Sequence, residues 1–144
     1  MSNAGDILLV DDDPTCLELG AAVLEACDFS VVTASDPLIA ISLAMQMKSE
    51  LTAAILDYHM LFMNGSTLAK CLKAICPNLR VILHSADATL KFNDLESIDA
   101  FVEKGNGFMV VVETLLDMKL SNGGFKLGDS RSIRVLNTAA SNVS

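Results

Sequence analysis

Short apolar runs alternate along the chain with longer segments in which apolar residues recur at helical spacing. The apolar runs are at residues 6–11, 29–34, 53–56, 80–84 and 100–102, and the helical patterns at 14–27, 37–48, 66–75 and 107–119. A run that is apolar throughout is typical of a strand buried on both faces of a parallel sheet. Strands that alternate with helices form βαβ units. The pattern therefore predicts an α/β fold on a parallel sheet, with a short, weakly amphipathic helix in the polar stretch 87–96.

Two of the predicted helices begin at the dipeptide Asp-Pro, at residues 13–14 and 36–37. An aspartate before the first turn accepts hydrogen bonds from backbone N–H groups that have no partner within the helix. Proline fits the first turn because its missing N–H would be unpaired there in any case. Local sequence therefore predicts where these two helices begin.

Length and charge limit the functions that the chain can have. Its 144 residues suffice for one domain with a substantial core. The formal charge of −8 and the pI of about 4.5 argue against direct binding of nucleic acid, and no apolar run approaches the roughly 20 residues of a membrane span. We expect residues 1–4 to be an expression scar, residues 5–120 to form the domain, and residues 121–144 to be a flexible tail or linker.

The chain contains four cysteines, and their spacings match no zinc or redox motif. They are Cys16, Cys27, Cys71 and Cys76. We predict free thiols buried in the core, as in proteins of the reducing cytoplasm. Because nothing at the N-terminus has the layout of a secretory signal, we expect a cytoplasmic location.

Polar and charged residues follow the predicted strands where these end. Three aspartates at 11–13 follow the first strand, Asp57 the third, Ser85 the fourth and Lys104 the fifth. Parallel strands point the same way, so these residues meet at one edge of the sheet, where open α/β sheets bind their ligands. Two carboxylates about 4 Å apart repel by about 4 kcal/mol at an effective dielectric near 20. An edge that gathers them should therefore also supply a cation.

The chemistry of this set of groups suits phosphoryl transfer. Carboxylate and carbonyl oxygens are hard ligands for Mg²⁺, which is commonly held by one or two carboxylates together with waters and a phosphate. Lys104 adds a positive charge that can pair with a phosphoryl group, and Ser85 adds a hydroxyl donor. A carboxylate can itself attack phosphorus to form an aspartyl phosphate, while Mg²⁺ and the lysine neutralise charge in the transition state. We therefore predict phosphoryl transfer onto an aspartate.

The sequence resembles the receiver domain of two-component response regulators over about residues 6–119. The segments that carry the resemblance are 7–12 (ILLVDD), 55–57 (ILD) with Met60 and 63–65 (MNG) after it, 83–86 (LHSA) and 101–104 (FVEK). The resemblance implies a flavodoxin-like (βα)5 three-layer sandwich whose parallel sheet has the order 2-1-3-4-5. The segment between Ser85 and Phe101 is shorter than is usual in the family, so we expect a shortened fourth helix.

The resemblance also implies how phosphoryl group and metal are held. Asp57 would be the phosphoacceptor, taking the phosphoryl group from the phosphohistidine of a histidine kinase or phosphotransfer protein. Mg²⁺ would be bound by Asp57, directly by Asp12, partly through water by Asp11, and by the backbone carbonyl of His59. A protein of this kind is a signalling phosphoacceptor and not an enzyme, limited to its own phosphorylation and autodephosphorylation.

Three further residues would respond to the phosphoryl group. Lys104 would contact its oxygens, Ser85 would move toward it on activation, and Phe101 would be the aromatic switch that follows Ser85 inward. Asp13 lies outside the acidic pair and is interpreted as the N-cap of the first helix. Family members often dimerise, so a homodimer is a further expectation, with no binding to nucleic acid or membrane.

Two residues depart from the family pattern. Leu61 and Gly105 stand where prolines are usual. Without a proline, the loop after Asp57 is expected to be less rigid. A cis peptide bond costs about 2.5–4 kcal/mol before a non-proline residue and about 0.5–1 kcal/mol before proline. The bond between Lys104 and Gly105 is therefore expected to be either trans or strained.

Two alternatives stay open from the sequence. A degenerate receiver would act as a non-phosphorylated docking module, which the departures at Leu61 and Gly105 favour and the complete acidic set opposes. A Mg²⁺-dependent aspartyl-phosphate phosphatase would need a nucleophilic aspartate and an acid–base aspartate two residues on. Asp11 and Asp13 have that spacing.

Overall fold

Strands and helices alternate in the structure as the apolar pattern predicts. The structure is a computed structural model that describes residues 6–87, 96–121 and 133–135. Its elements, up to the last helix, are β1 (Asp6–Val10), α1 (Pro14–Ala26), β2 (Ser30–Ala34), α2 (Pro37–Gln46), β3 (Leu51–Leu56), α3 (Gly65–Ile75), β4 (Arg80–Ser85), β5 (Ala100–Glu103) and α4 (Met109–Ser121). The short helix expected in 87–96, the shortened fourth helix of the family pattern, lies almost entirely outside the described residues and stays a prediction.

The five strands β1 to β5 form a parallel sheet in the order β2-β1-β3-β4-β5. Each neighbouring pair is parallel, and Val10 at the end of β1 lies beside Leu56 at the end of β3. The predicted flavodoxin-like order is therefore confirmed. It also places the residues that follow β1 and β3 side by side.

A sixth strand, β6 (Ile133–Val135), extends the sheet beyond β5. It pairs antiparallel with β5, with Ala100 opposite Val135 and Phe101 opposite Arg134. The sequence does not predict this strand, because three residues in a segment without sustained periodicity carry no strand signal. The proposed boundary of the domain near residue 120 stays a prediction.

The two faces of the sheet bury two separate apolar clusters. Successive residues of a strand point to opposite faces, so Leu8 and Val10 of β1 belong to one cluster and Ile7 and Leu9 to the other. In β5, Phe101 belongs to the first of these clusters. Burial on both faces explains why these strands are apolar throughout, as the sequence indicates.

Both Asp-Pro helix starts have the expected capping geometry. The Asp13 carboxylate accepts a hydrogen bond from the Thr15 N–H at 3.0 Å. The Asp36 carboxylate accepts from the N–H groups of Leu38 and Ile39 at 2.8 and 3.0 Å. These bonds satisfy donors of the first helical turn, so the interpretation of Asp13 as an N-cap is confirmed.

The prediction for the cysteines is correct for their oxidation state and partly wrong for their burial. All four thiols are free. Cys76 is buried and Cys16 and Cys71 are half-buried, but Cys27 is exposed because it follows the last turn of α1, where the helix no longer packs on the sheet.

No helix within the described ranges combines the length and the apolar character needed to cross a membrane.

The cap at Asp36 allows a direct test of the local sequence signal. Asp36→Ala removes the acceptor of two N–H groups and should lower the free energy of unfolding by about 1 kcal/mol. Asp36→Ser retains a capping oxygen and should leave it nearly unchanged. Urea denaturation of the three proteins measures the difference, and equal stability of the alanine and serine variants would contradict the capping role.

Candidate functional site

Asp11 and Asp57 are held side by side at the carboxyl edge of the sheet. Each follows the last residue of its strand, and these last residues, Val10 and Leu56, are neighbours in the β1–β3 register. The pairing continues past the strand ends, because the Asp57 N–H donates to the Val10 carbonyl at 3.1 Å. The Asp11 N–H likewise donates to the carbonyl of Ala34 in β2 at 3.2 Å. The sheet itself therefore fixes the backbone of both aspartates.

Lys104 connects these two carboxylates. Its ammonium group donates to Asp11 Oδ2 at 3.0 Å and lies 3.5 Å from Asp57 Oδ1. The Asp11 and Asp57 side chains are only 8% and 12% exposed, and that of Lys104 is 23% exposed. The predicted cation is thus present where the sheet edge gathers the negative charges.

The electrostatics of the three residues follow from burial and mutual charge. Burial raises the pKa of Asp57, and the charges of Asp11 and Asp12 raise it further, whereas Lys104 opposes this change. For Lys104, burial disfavours the charged form, but the hydrogen bond to Asp11 and the charge of Asp57 together raise its pKa. The lysine is therefore held in its charged form by the carboxylates beside it.

Three carboxylates form a candidate metal centre. Asp11, Asp12 and Asp57 each place one oxygen so that the three atoms lie within 4.8 Å of one another. Asp11 is buried, Asp57 is half-buried and Asp12 is exposed, so the cluster opens to solvent on the Asp12 side. A set of hard carboxylate oxygens that is partly open to water fits Mg²⁺, which keeps several of its own water ligands. The backbone carbonyl of His59 stays a predicted ligand.

Asp13 has no place in this centre. One of its oxygens accepts from the Thr15 N–H, and the other accepts from the Cys16 thiol at 3.4 Å. The Thr15 hydrogen bond lowers the pKa of Asp13, with a smaller contribution from Cys16. A carboxylate used as a helix cap and stabilised in its charged form is poorly suited to general acid catalysis, which weakens the phosphatase alternative.

Ser85 lies at the end of β4 and is fully buried. Its hydroxyl oxygen accepts a hydrogen bond from the Asp87 N–H at 3.1 Å. The Asp87 carboxylate in turn lies 2.9 Å from Nε2 of His59. The loops after β3 and β4 are thus joined beside Asp57. The sequence does not predict this pair, because an aspartate in a polar stretch has no distinctive pattern.

The loop after Asp57 closes over the backbone of that residue. The Gly65 N–H donates to the Tyr58 carbonyl at 2.8 Å. A Cβ atom at Gly65 would collide with the backbone carbonyl of Asp57 and would lie 2.9 Å from Cδ1 of Leu83. Glycine is therefore required at this position by a close approach of two backbones.

The region after β5 positions Lys104 without a proline. Residues Lys104–Asn106 form a single 3-10 turn that ends at Gly107, whose φ of 90° favours glycine. No peptide bond in the described segments is cis, so the bond between Lys104 and Gly105 is trans, one of the two expected outcomes. A Cβ atom at Gly105 would meet no heavy atom within 4 Å.

Phe101 is 2% exposed and belongs to the core cluster that also contains Leu56 and Leu83. The ring therefore already occupies the inward position that is expected after activation. Its role as a switch stays a prediction.

His84 precedes Ser85 and packs on the other face of the sheet. Its ring meets Phe108 edge to face, with centroids 5.3 Å apart, and its Nε2 is buried with no hydrogen-bond partner within the described part of the chain. Burial lowers its pKa to about 4, and the positive charge of Lys104 contributes in the same direction. His84 is therefore a neutral core residue.

Comparison with known proteins identifies this arrangement. The sequence model of the response regulator receiver domain matches residues 7–108. The chain belongs to this family. Among curated proteins, a two-component response regulator of rice, ORR24, is 36% identical over 81 residues, which cover 56% of this chain and 13% of that protein. The transcription factor SKN7 of Chaetomium thermophilum is 32% identical over 76 residues, 53% of this chain and 10% of that protein. This receiver domain thus spans about an eighth of the length of such relatives.

Solved structures of receiver domains have the same fold. One from Methanospirillum hungatei aligns with a TM-score of 0.71 at 23% identity, covering 83% of this chain and 98% of that one. The response regulator TrrA of Thermotoga maritima, solved in complex with Mg²⁺ and BeF, aligns with a TM-score of 0.69 at 23% identity, covering 78% and 96%. Likeness at this level of identity concerns the fold alone.

The two glycines near the site provide a matched pair of substitutions. Gly65→Ala should lower the free energy of unfolding by roughly 1–3 kcal/mol, because its Cβ must displace the Asp57 backbone. Gly105→Ala should change it by less than about 0.5 kcal/mol, because space is available. Denaturant titration of both variants checks this, and a tolerated alanine at Gly65 would show that the close approach is not obligatory.

His84 should make stability depend on pH in the mildly acidic range. Its pKa falls from 6.5 to about 4 in the folded protein, so between these values the unfolded state binds the extra proton and stability decreases as pH decreases. From pH 7 to 5 we expect a loss of about 2 kcal/mol from this residue. His84→Phe should lose less stability over the same range. Urea titrations at both pH values measure the difference, and parallel losses in the two proteins would disprove it.

Proposed function

We propose that this receiver domain accepts a phosphoryl group on Asp57 from a histidine kinase or phosphotransfer protein, with Mg²⁺, and then changes conformation to control an output or partner. The observation that carries the proposal is the position of Lys104, whose ammonium group lies between the carboxylates of Asp11 and Asp57. A positive charge held beside a carboxylate nucleophile is what charge neutralisation in phosphoryl transfer requires.

Mg²⁺ would be held by Asp11, Asp12 and Asp57 with the backbone carbonyl of His59. The compact carboxylate cluster supports this set for the three side chains. When bound, the ion would supply positive charge to the phosphoryl oxygens and orient them for in-line attack. The complex of TrrA with Mg²⁺ and BeF is consistent with such a site in a protein of the same fold.

In the transfer step, a carboxylate oxygen of Asp57 attacks phosphorus while the phosphorus–nitrogen bond of the donor phosphohistidine breaks. The electron pair of that bond leaves with the imidazole nitrogen, so the donor regenerates a histidine and the receiver gains an acyl phosphate. The Asp57 side chain is only 12% exposed, which removes part of the water shell of the nucleophile before attack.

Lys104 and Ser85 would bind the new phosphoryl oxygens. Phosphorylation moves negative charge away from the Asp57 carboxylate, so the Lys104 ammonium group would move from its present partners toward the phosphoryl group. The Ser85 oxygen accepts from the Asp87 N–H, which leaves the hydroxyl proton able to point toward a phosphoryl oxygen.

The conformational response would be a shift between two arrangements of the segment after β4. A phosphoryl group that binds Ser85 more strongly in one arrangement shifts the population toward that arrangement. Because Phe101 is already buried, we propose that the ring stabilises the active arrangement and that the loop carrying Ser85 and Asp87 makes the larger movement. A cytoplasmic location and a homodimer remain parts of this proposal.

The docking-module alternative predicts that Asp57 is not phosphorylated. It requires only a folded surface, whereas gathering the carboxylates of Asp11, Asp12 and Asp57 has a cost in electrostatic repulsion and burial that a docking surface does not need. We therefore favour phosphorylation over docking alone.

Intact mass measurement after incubation with acetyl phosphate tests the proposal. We expect one phosphoryl adduct that requires Mg²⁺, is absent in Asp57→Asn and is reduced at least tenfold in rate in Asp12→Asn. Asp28→Asn is a matched control, since it removes the same charge at an exposed turn, and should react like the wild type. A folded wild-type protein without any adduct would leave the docking module as the function.

A further inference from the structure

The loop between Asp57 and α3 ends in an exposed apolar tip formed by Leu61 and Phe62. Their side chains are 70% and 73% exposed, the highest values among the large apolar residues that the structure describes. On either side of the tip, Met60 and Met63 pack against the core cluster that contains Phe101. The loop is therefore anchored at both ends while its two middle residues point away from the core.

The backbone of the apolar tip is strained. The Met63 N–H donates to the Leu61 carbonyl at 2.9 Å, and Phe62 between them has a φ of 77°. A hydrogen bond across one residue with this positive φ defines the rare, strained form of the γ-turn. An aromatic side chain in this region of φ is an outlier. Since most of the ring is exposed, its burial in the isolated domain does not compensate for the strain.

The apolar tip belongs to the loop that begins at the phosphoacceptor. The hydrogen bond from the Gly65 N–H to the Tyr58 carbonyl closes the base of this loop, and His59 joins it to Asp87 beyond Ser85. A donor protein must bring its phosphorus within bonding distance of the Asp57 carboxylate, and the apolar tip lies only four and five residues after Asp57, so a protein surface at the site is near this loop. A small donor such as acetyl phosphate has no such surface.

Charge around the site favours an apolar mode of recognition. The edge carries exposed carboxylates at Asp12 and Asp13, and the chain has a net charge of −8. A phosphorylated donor is itself negative at the reacting group, so long-range attraction contributes little to its approach. An aromatic anchor that is buried on association supplies affinity without adding charge.

We propose that Leu61 and Phe62 dock against an apolar patch on the protein that carries the phosphohistidine. The apolar tip thereby selects protein donors over small phosphoryl donors. This inference rests on the proposed function, because it assigns a contact to the donor of that reaction.

The test compares protein and small donors on the same variants. Phe62→Asn removes the ring, and asparagine tolerates positive φ; Phe62→Tyr retains the ring. Met45→Asn is the matched control, because Met45 is 60% exposed and lies near the end of α2, at the opposite edge of the sheet from Asp57. The donors are acetyl phosphate and a panel of phosphorylated histidine kinase cores, with the fastest kinase used for kinetics.

We expect Phe62→Asn to raise the KM for transfer from the kinase about tenfold or more, the effect of losing one aromatic anchor, with little change in kcat. Its labelling by acetyl phosphate should stay within about twofold of wild type, as should both reactions of Phe62→Tyr and Met45→Asn. An unchanged KM in Phe62→Asn would overturn the proposal. An equal loss of labelling by acetyl phosphate would also overturn it, because it would indicate that the substitution distorts the loop.

Two further outcomes are informative. If Phe62→Asn changes self-association in sedimentation while transfer from the kinase is unaffected, the apolar tip contacts a second copy of the chain and is not a donor contact. If acetyl phosphate does not label wild-type Asp57 at all, the proposed function fails first, and the two failures are thereby distinguished.

Discussion

The site depends on one electrostatic constraint, the pairing of the Lys104 ammonium group with the carboxylates of Asp11 and Asp57. Parallel strands place these carboxylates next to each other whether or not a ligand is present, because the β1–β3 register fixes where each strand ends. Without a cation, like charges at a partly buried edge would favour protonation or local unfolding. The Lys104 ammonium group contacts both carboxylates. Lys104 follows β5, whereas the two aspartates follow β1 and β3.

The same constraint explains why the resting arrangement is suited to change. Lys104 is bound to two negative partners, and the phosphoryl group that we propose on Asp57 would compete for the same ammonium group. Because the partners compete, this new negative charge would redistribute contacts that already exist. The neighbouring Ser85–Asp87–His59 chain of contacts is close enough to be affected, since Ser85 ends the strand beside β5.

The sequence predicted most of this arrangement because the relevant signals are local or periodic. Asp13 and Asp36 were found as caps because a cap is defined by a few adjacent residues. Asp11, Asp57, Ser85 and Lys104 were found because the ends of parallel strands converge regardless of what lies between them. The Asp87–His59 contact, the exposed Cys27 and the strand β6 were missed, since each depends on how distant segments approach in three dimensions. The collision at Gly65 belongs to the same group, because only the folded loop brings it against the Asp57 carbonyl.

Because it pairs with β6, β5 is not an edge strand of the sheet. In the order β2-β1-β3-β4-β5, β5 would be an edge strand with one row of backbone N–H and C=O groups open to water. The antiparallel pairing of Ala100 and Phe101 with Val135 and Arg134 covers that row. Amide hydrogen exchange on the outer side of β5 is then controlled by opening of β6 and not by unfolding of the domain. The outer amides of β5, the strand that carries Phe101, and the amides of β6 are therefore expected to exchange with solvent through the same local opening.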